Sequence, residues 1–189
     1  MNGLRLISLL LAAVTLVGCD KPSAASAGPT GPATASAAPT TLSPPYVNLP
    51  SVPTKAQPKL STIKVWLGPE ELIVEMAILP VQVNTGMMFR TNMAENEGMV
   101  FVLPYEQQAS FWMANCPHSL SVAYINTEGV IEEIHPLEPF NTNSVTAAAA
   151  NIRFALETTQ GWFDRHHVST GAVVRTERGS LKQTFLQRQ

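Results

Sequence analysis

The chain has 189 residues, with 12 Lys and Arg against 14 Asp and Glu and a formal net charge of −2. That length suits one globular domain. The near-neutral balance provides no basic surface for a phosphate backbone, which excludes nucleic acid as an expected partner. With only two cysteines, Cys19 and Cys116, a disulfide-stapled scaffold is excluded too.

Arg5 supplies a short positive region, and Leu6 to Val17 form an uncharged apolar core. A spanning helix needs roughly 20 apolar residues, so this segment has signal-peptide length instead. Leu16-Val17-Gly18-Cys19 closes it with the small-residue-then-cysteine form of a lipobox. The segment resembles the leader of bacterial lipoproteins. That resemblance implies a signal peptide over residues 1–18, cleavage before Cys19 and a palmitate-type diacyl thioether on its sulfur. The implied location is the cell envelope, with a membrane as partner and the domain on the periplasmic side. Two acyl chains, at about 0.8 kcal/mol per buried CH₂, hold a protein on a bilayer durably. The alternatives are an ordinary secretory peptide or an uncleaved N-terminal anchor. Asp20 after the cysteine resembles an enterobacterial inner-membrane retention signal.

Residues 19–59 form the next section, rich in Ala, Ser, Thr, Gly and Pro. Nine of the 15 prolines lie between Pro22 and Pro58, and Lys55 is the sole charge in that interval. Such a composition buries too little apolar surface to offset its ordering entropy, so the sequence predicts a disordered tether. Proline stiffens it beyond the roughly 35 Å that a flexible chain of this length averages.

Residues 60–179 carry the expected β-rich domain, followed by a tail at 180–189. From Lys59 onward there are 9 Lys and Arg against 13 Asp and Glu, a net of −4. Ile63 to Leu67 alternate, Gly68-Pro69 turns the chain, and Leu72 to Ile78 return as the second arm of a hairpin. Val81 to Phe89 suit a short helical turn. Strands are predicted at Met99–Leu103, Ser110–Met113 and Leu120–Ile125. Thr127-Glu128-Gly129 then turns into Val130–Ile134. Alanine-rich Thr146–Ala150 suits a second helical turn and Trp162–His166 a third, with strands at Asn151–Thr158 and Ala172–Thr176. Short strands at this spacing predict a mainly β fold with a few short helices: a compact antiparallel barrel or jelly-roll-like sandwich.

Three motifs fall in one order: Gly86-Met87-Met88-Phe89-Arg90, Gly98-Met99-Val100-Phe101 and Phe111-Trp112-Met113-Ala114-Asn115. With Ala155-Leu156-Glu157, Gly161 and Gly171 they resemble the family known as domain of unknown function 192, over roughly Thr62 to Thr176. The resemblance implies a small, mainly β, commonly exported domain and no established activity. Two positions depart from the family pattern. Cys116 stands where a threonine is usual, and Ser121 where an aspartate is usual.

The polar residues inside these motifs are Arg90, Asn115 and Glu157, with Trp112 beside them. In an apolar, methionine-rich setting, a buried Arg90–Glu157 pair with Asn115 can line a pocket for a small polar or anionic molecule, and Trp112 can add the wall of a glycan-binding face. The plainer reading, favoured because paired buried charges are common, makes Arg90 and Glu157 a structural ion pair with Asn115 satisfying backbone groups. Met87, Met88, Met93, Met99 and Met113 offer soft thioethers for Cu(I), but without a repeat they read as core filler. Cys116-Pro117-His118 pairs a thiol with an imidazole, yet no third group orients them. His166-His167 read as a surface loop. No cofactor, metal or catalytic residue is expected. The leading reading is a non-enzymatic, lipid-anchored binding module for a small molecule, glycan or envelope partner. A hydrolase acting on envelope carbohydrate or peptide is the alternative, and a structural or assembly factor comes third.

Overall fold

Ile63, Val65 and Leu67 are buried while Thr62 and Lys64 are exposed and Trp66 is half-buried, the period-two pattern that commits this stretch to a strand with one packed face. The computed structural model describes residues 52–187. The expected signal peptide, Cys19 and the tether as far as residue 51 lie outside them, as do residues 188–189. Strand β1 (Thr62–Leu67) pairs antiparallel with β2 (Glu70–Ala77), which forms the expected hairpin. The short helix α1 (Pro80–Thr85) follows, with Pro80 at its first turn, where a missing N–H costs nothing. Then come β3 (Glu97–Gln107), β4 (Ser110–Phe111), β5 (Leu120–Asn126) and β6 (Ile131–Leu137). The chain continues through β7 (Val145–Thr146), β8 (Ile152–Thr159), α2 (Trp162–Arg165), β9 (Val174–Thr176), β10 (Gly179–Ser180) and α3 (Leu181–Phe185).

Eight strands form one sheet in the order β10-β9-β1-β2-β3-β8-β5-β6, and β4 and β7 pair separately. The sheet curls into a half-barrel. Its ends approach where Ile131 N–H donates to Ala172 O at 2.9 Å and Val174 N–H to Gly129 O at 2.8 Å. The mainly β expectation holds. One pair departs from an all-antiparallel sheet, because β2 and β3 run parallel, Val74 opposite Gly98 and Ala77 opposite Phe101. A parallel pair needs a long crossover, and residues 78–96, containing α1, supply it.

Both faces of the sheet are covered, which is why β3, β5 and β8 read as continuous apolar runs. On one face Val65, Leu72, Val100, Ile125, Phe154 and Leu156 pack with Trp162 and Phe163 of α2 and Leu181 of α3. On the other, Met99, Phe101, Val122, Tyr124 and Ala155 pack beneath Met87, Met88, Met113 and Cys116. Gly98 lets β3 and β8 meet. A Cβ there would lie 2.6 Å from the Glu157 carbonyl, so any side chain would force the strands apart.

Two expectations change. Thr146–Ala150 is not helical. Ala147 N–H donates to Ala109 O, and the N–H groups of Ala148 and Ala149 donate to the Glu133 carboxylate. Five residues of good propensity cannot nucleate a helix against such partners. Conversely, the expected tail contains α3, fixed by a capping box in which Ser180 Oγ accepts from Gln183 N and Gln183 Oε1 from Ser180 N. Leu181 is fully buried and Phe185 packs on Phe154. Val52 to Lys59 belong to the described part, and Gln57 Nε2 donates to the carbonyls of Gln82 and Gly86 at 3.1 and 2.9 Å. No helix among the described residues is long and apolar enough to cross a membrane.

Candidate functional site

Helix α1 ends at Gly86, where a φ of +47° would strain any side chain and a Cβ would crowd the Phe101 ring at 3.2 Å. The chain therefore turns sharply and lays Met87 and Met88 over the sheet, both buried. Across from them the loop after β4 carries Trp112 and Cys116. Between these two walls, over β3 and β8, lies a cleft of about 500 Å³, within the range of small-molecule sites. Its floor is apolar: Met87, Met88, Phe101, Leu103 and Phe111. Phe111 meets Phe101 edge-on, with ring centroids 5.0 Å apart. At its mouth Tyr105, Trp112, Val81 and Val52 stand exposed.

Glu157 lines this cleft from β8 and is 4% exposed. Its neighbours across the strands, Met99 on β3 and Val122 on β5, are apolar and fully buried. Burial alone pushes its carboxyl from an ordinary 4.5 up to about 8, because the anion has lost water without gaining a partner. Among the described residues no cation pairs with it and no group hydrogen-bonds its carboxyl. The Cys116 thiol is likewise pushed up to about 12, mainly by burial and secondarily by the Glu157 charge. Tyr124 is raised for the same two reasons, and its hydroxyl is engaged by Val145 O at 2.5 Å.

The four expected site residues separate into two groups. Trp112 and Glu157 share the cleft; Arg90 and Asn115 do not line it. The anticipated Arg90–Glu157 pair does not form. Arg90 instead holds Glu75 of β2 with two bonds, Nη2 to Oε2 at 2.9 Å and Nη1 to Oε1 at 3.2 Å. Leu60 N–H donates to the same carboxylate at 2.6 Å and Pro58 O accepts from Arg90. This pair borders a second cleft of about 370 Å³, with Asn92 and Glu97 nearby. Lateral position explains the difference: Glu75 and Glu157 share one face of the sheet, each opposite Met99 from either side, and Arg90 pairs with the one on β2 while β3 lies between it and Glu157.

Asn115 adopts φ 59°, a left-handed geometry that asparagine tolerates better than most residues. Its side-chain nitrogen lies 4.0 Å from Met88 Sδ. Sequence reasoning missed that Met87, Met88 and Cys116 face Glu157 across one cavity. Nothing in their spacing could have announced this, because three separate segments supply them. Ser121 is buried, and its Oγ accepts from Gly161 N–H at 2.9 Å, which fixes the turn into α2. His166 is bound to Glu70 and Glu95 and stacks on Trp162, 4.3 Å between centroids. Among the described residues no cluster of His, Cys, Asp and Glu has metal-binding geometry. Cys19, the expected lipidation site, lies outside them.

No curated protein matches the chain. Among solved structures it is similar to a provisionally assigned transcription regulator from Sinorhizobium meliloti 1021, at 26% identity and TM-score 0.60, covering 64% of this chain and 98% of that one. It also resembles a protein of unknown function from Novosphingobium aromaticivorans DSM 12444, at 24% identity and TM-score 0.58, covering 64% and 90%. The latter likeness concerns the fold alone. The family model described as "Uncharacterized ACR", domain of unknown function 192, matches residues 64–176. Its span takes in the three motifs that build the cleft, and the chain belongs to this family.

Proposed function

We propose that this protein is a lipid-anchored, extracytoplasmic binding module that holds a small, largely apolar molecule in the cleft over Glu157. The observation that carries the reading is a lone, unpaired carboxyl in an aromatic-edged, largely apolar cavity of about 500 Å³, whose other polar lining residues (Asn84, Thr85, Gln107 and Ser110) are uncharged. A wall of this kind excludes water and gains from burying hydrocarbon, while a single polar group fixes orientation. Trp112 and Glu157 are the ligand contacts; Arg90 and Asn115 brace the wall behind them. The hydrolase alternative needs a nucleophile or a pair of acid and base groups. Among the lining residues the thiol of Cys116 is held protonated by its high pKa, and Glu157 has no second carboxylate beside it, so binding is favoured over turnover. The lipobox and proline-rich tether support the location, since a module on a long leash samples the space near a membrane.

Thermal unfolding of the full chain against a panel of small apolar and aromatic molecules tests the reading. Stabilisation by at least one compound, abolished or weakened by Trp112→Ala, is the expected outcome. A panel at millimolar concentration that leaves the melting temperature unmoved sinks it.

A further inference from the structure

We infer that the molecule this cleft takes is a primary amine on an apolar body, held as its ammonium with Glu157 as counter-ion. This rests on the reading of the cleft as a small-molecule site and names the ligand class. The argument begins with what Glu157 lacks. A carboxyl buried in a protein normally has a cation or several N–H donors within reach. Here β3 and β5 offer it Met99 and Val122, the turn after α1 offers thioethers, and the loop after β4 offers Cys116. Arg90, a cation on the covering segment, is committed to Glu75. Tyr124 on β5 has its hydroxyl engaged by a carbonyl. The missing partner is therefore a donor, preferably charged, that enters through the cleft.

The walls select further. Trp112 and Tyr105 stand at the mouth with Phe111 and Phe101 below them, so a ligand meets several aromatic faces alongside the uncharged Asn84, Gln107 and Ser110. Such faces attract hydrocarbon and also a cation close to them. An anionic ligand would meet the carboxyl and find no positive side chain among the lining residues. A neutral alcohol would gain a hydrogen bond but no ion pair. An alkyl or arylalkyl amine satisfies the floor, the walls and the charge together.

The titratable groups facing Glu157 are Cys116 from the loop and Tyr124 from β5, with Tyr105 at the mouth of the cleft. Burial raises both Cys116 and Tyr124, so they stay neutral near neutral pH. Binding of an ammonium then requires Glu157 to give up its proton to solvent below about pH 8. Amine affinity rises about tenfold per pH unit in that range, and one proton is released per ligand bound.

The test is calorimetric titration of the full chain with phenethylamine, phenethyl alcohol and phenylacetate, matched in size and differing in charge. The amine is expected to bind at least tenfold more tightly than the alcohol at pH 8, with no detectable binding of phenylacetate. Heats measured in buffers of different ionisation enthalpy should report the released proton, which needs no variant. Glu157→Gln is expected to reduce amine affinity tenfold or more and to abolish the proton release. Equal binding of amine and alcohol with no pH dependence overturns the amine assignment while the cleft remains a binding site. Failure of all three to bind overturns both readings.

Discussion

The Phe89 N–H donates to the carbonyl of Asn115 at 2.7 Å, and both residues are left-handed, with φ of 60° and 59°. One backbone bond thus joins the two motifs that form opposite walls of the cleft. Left-handed geometry costs an ordinary L-residue about 1–2 kcal/mol and asparagine or glycine less. Asn115→Ala should therefore lower stability by about 1 kcal/mol, with Asn115→Gly close to the parent. Urea unfolding of the two variants checks this, and an alanine variant as stable as the glycine one contradicts it.

Arg90 and Glu75 are 17% and 12% exposed in their side chains, so their pair is largely shielded from solvent. Removing one partner leaves the other charge stranded, which costs more than the pair contributes. Arg90→Ala should destabilise the domain by about 3 kcal/mol, and the double variant with Glu75→Gln should recover part of it. A double-mutant cycle showing no coupling energy rules out the pairing.

Glu157 makes stability fall with rising pH. The unfolded carboxyl loses its proton near 4.5, whereas the folded one keeps it to about 8. Between those values the native state binds more protons, so unfolding free energy decreases by up to about 1.4 kcal/mol per pH unit and levels off above about 8. Glu95, Glu97 and Glu133 act oppositely and lower down. Arg165, the Ala94 N–H and the Ala149 N–H respectively hold their carboxyls below the ordinary value, so their contributions are lost only as pH drops beneath it. Chemical denaturation across pH 5 to 8 should show the decline, and Glu157→Gln should flatten it. Rising stability over that interval is the contrary result.

Cys116 is buried with its thiol pushed up to about 12, and the thiolate is the reactive form. Iodoacetamide at neutral pH should leave it unmodified in the folded protein and alkylate it in denaturant. Mass spectrometry reads the difference. Rapid labelling of the native chain would mean that the thiol is both reached and ionised.

For the anchor, Cys19→Ala should move the protein from the membrane fraction to the soluble one and abolish palmitate incorporation. With the proposed lipidation, two acyl chains would hold the chain durably, and an apolar core of 12 residues is too short to replace them. Unchanged retention in the membrane fraction would point to an uncleaved segment instead.

Most strands and the family are legible in the residues alone, while Thr146–Ala150 and α3 are not. Alternation in Ile63–Leu67, the unbroken apolar runs of β3, β5 and β8, and the three glycine- and methionine-bearing motifs are short-range signals set by strand period and backbone geometry. The Ser180-to-Gln183 cap of α3 lies within the stretch expected as a tail. Tertiary structure alone decided which charges meet. Glu75 and Arg90 lie 15 residues apart and pair because the crossover after β2 folds the second motif back over that strand. Glu157 is left unpaired for the same reason. A strand's pattern tells which face a side chain takes; what stands opposite depends on chain segments arriving from elsewhere, and no periodicity encodes that encounter.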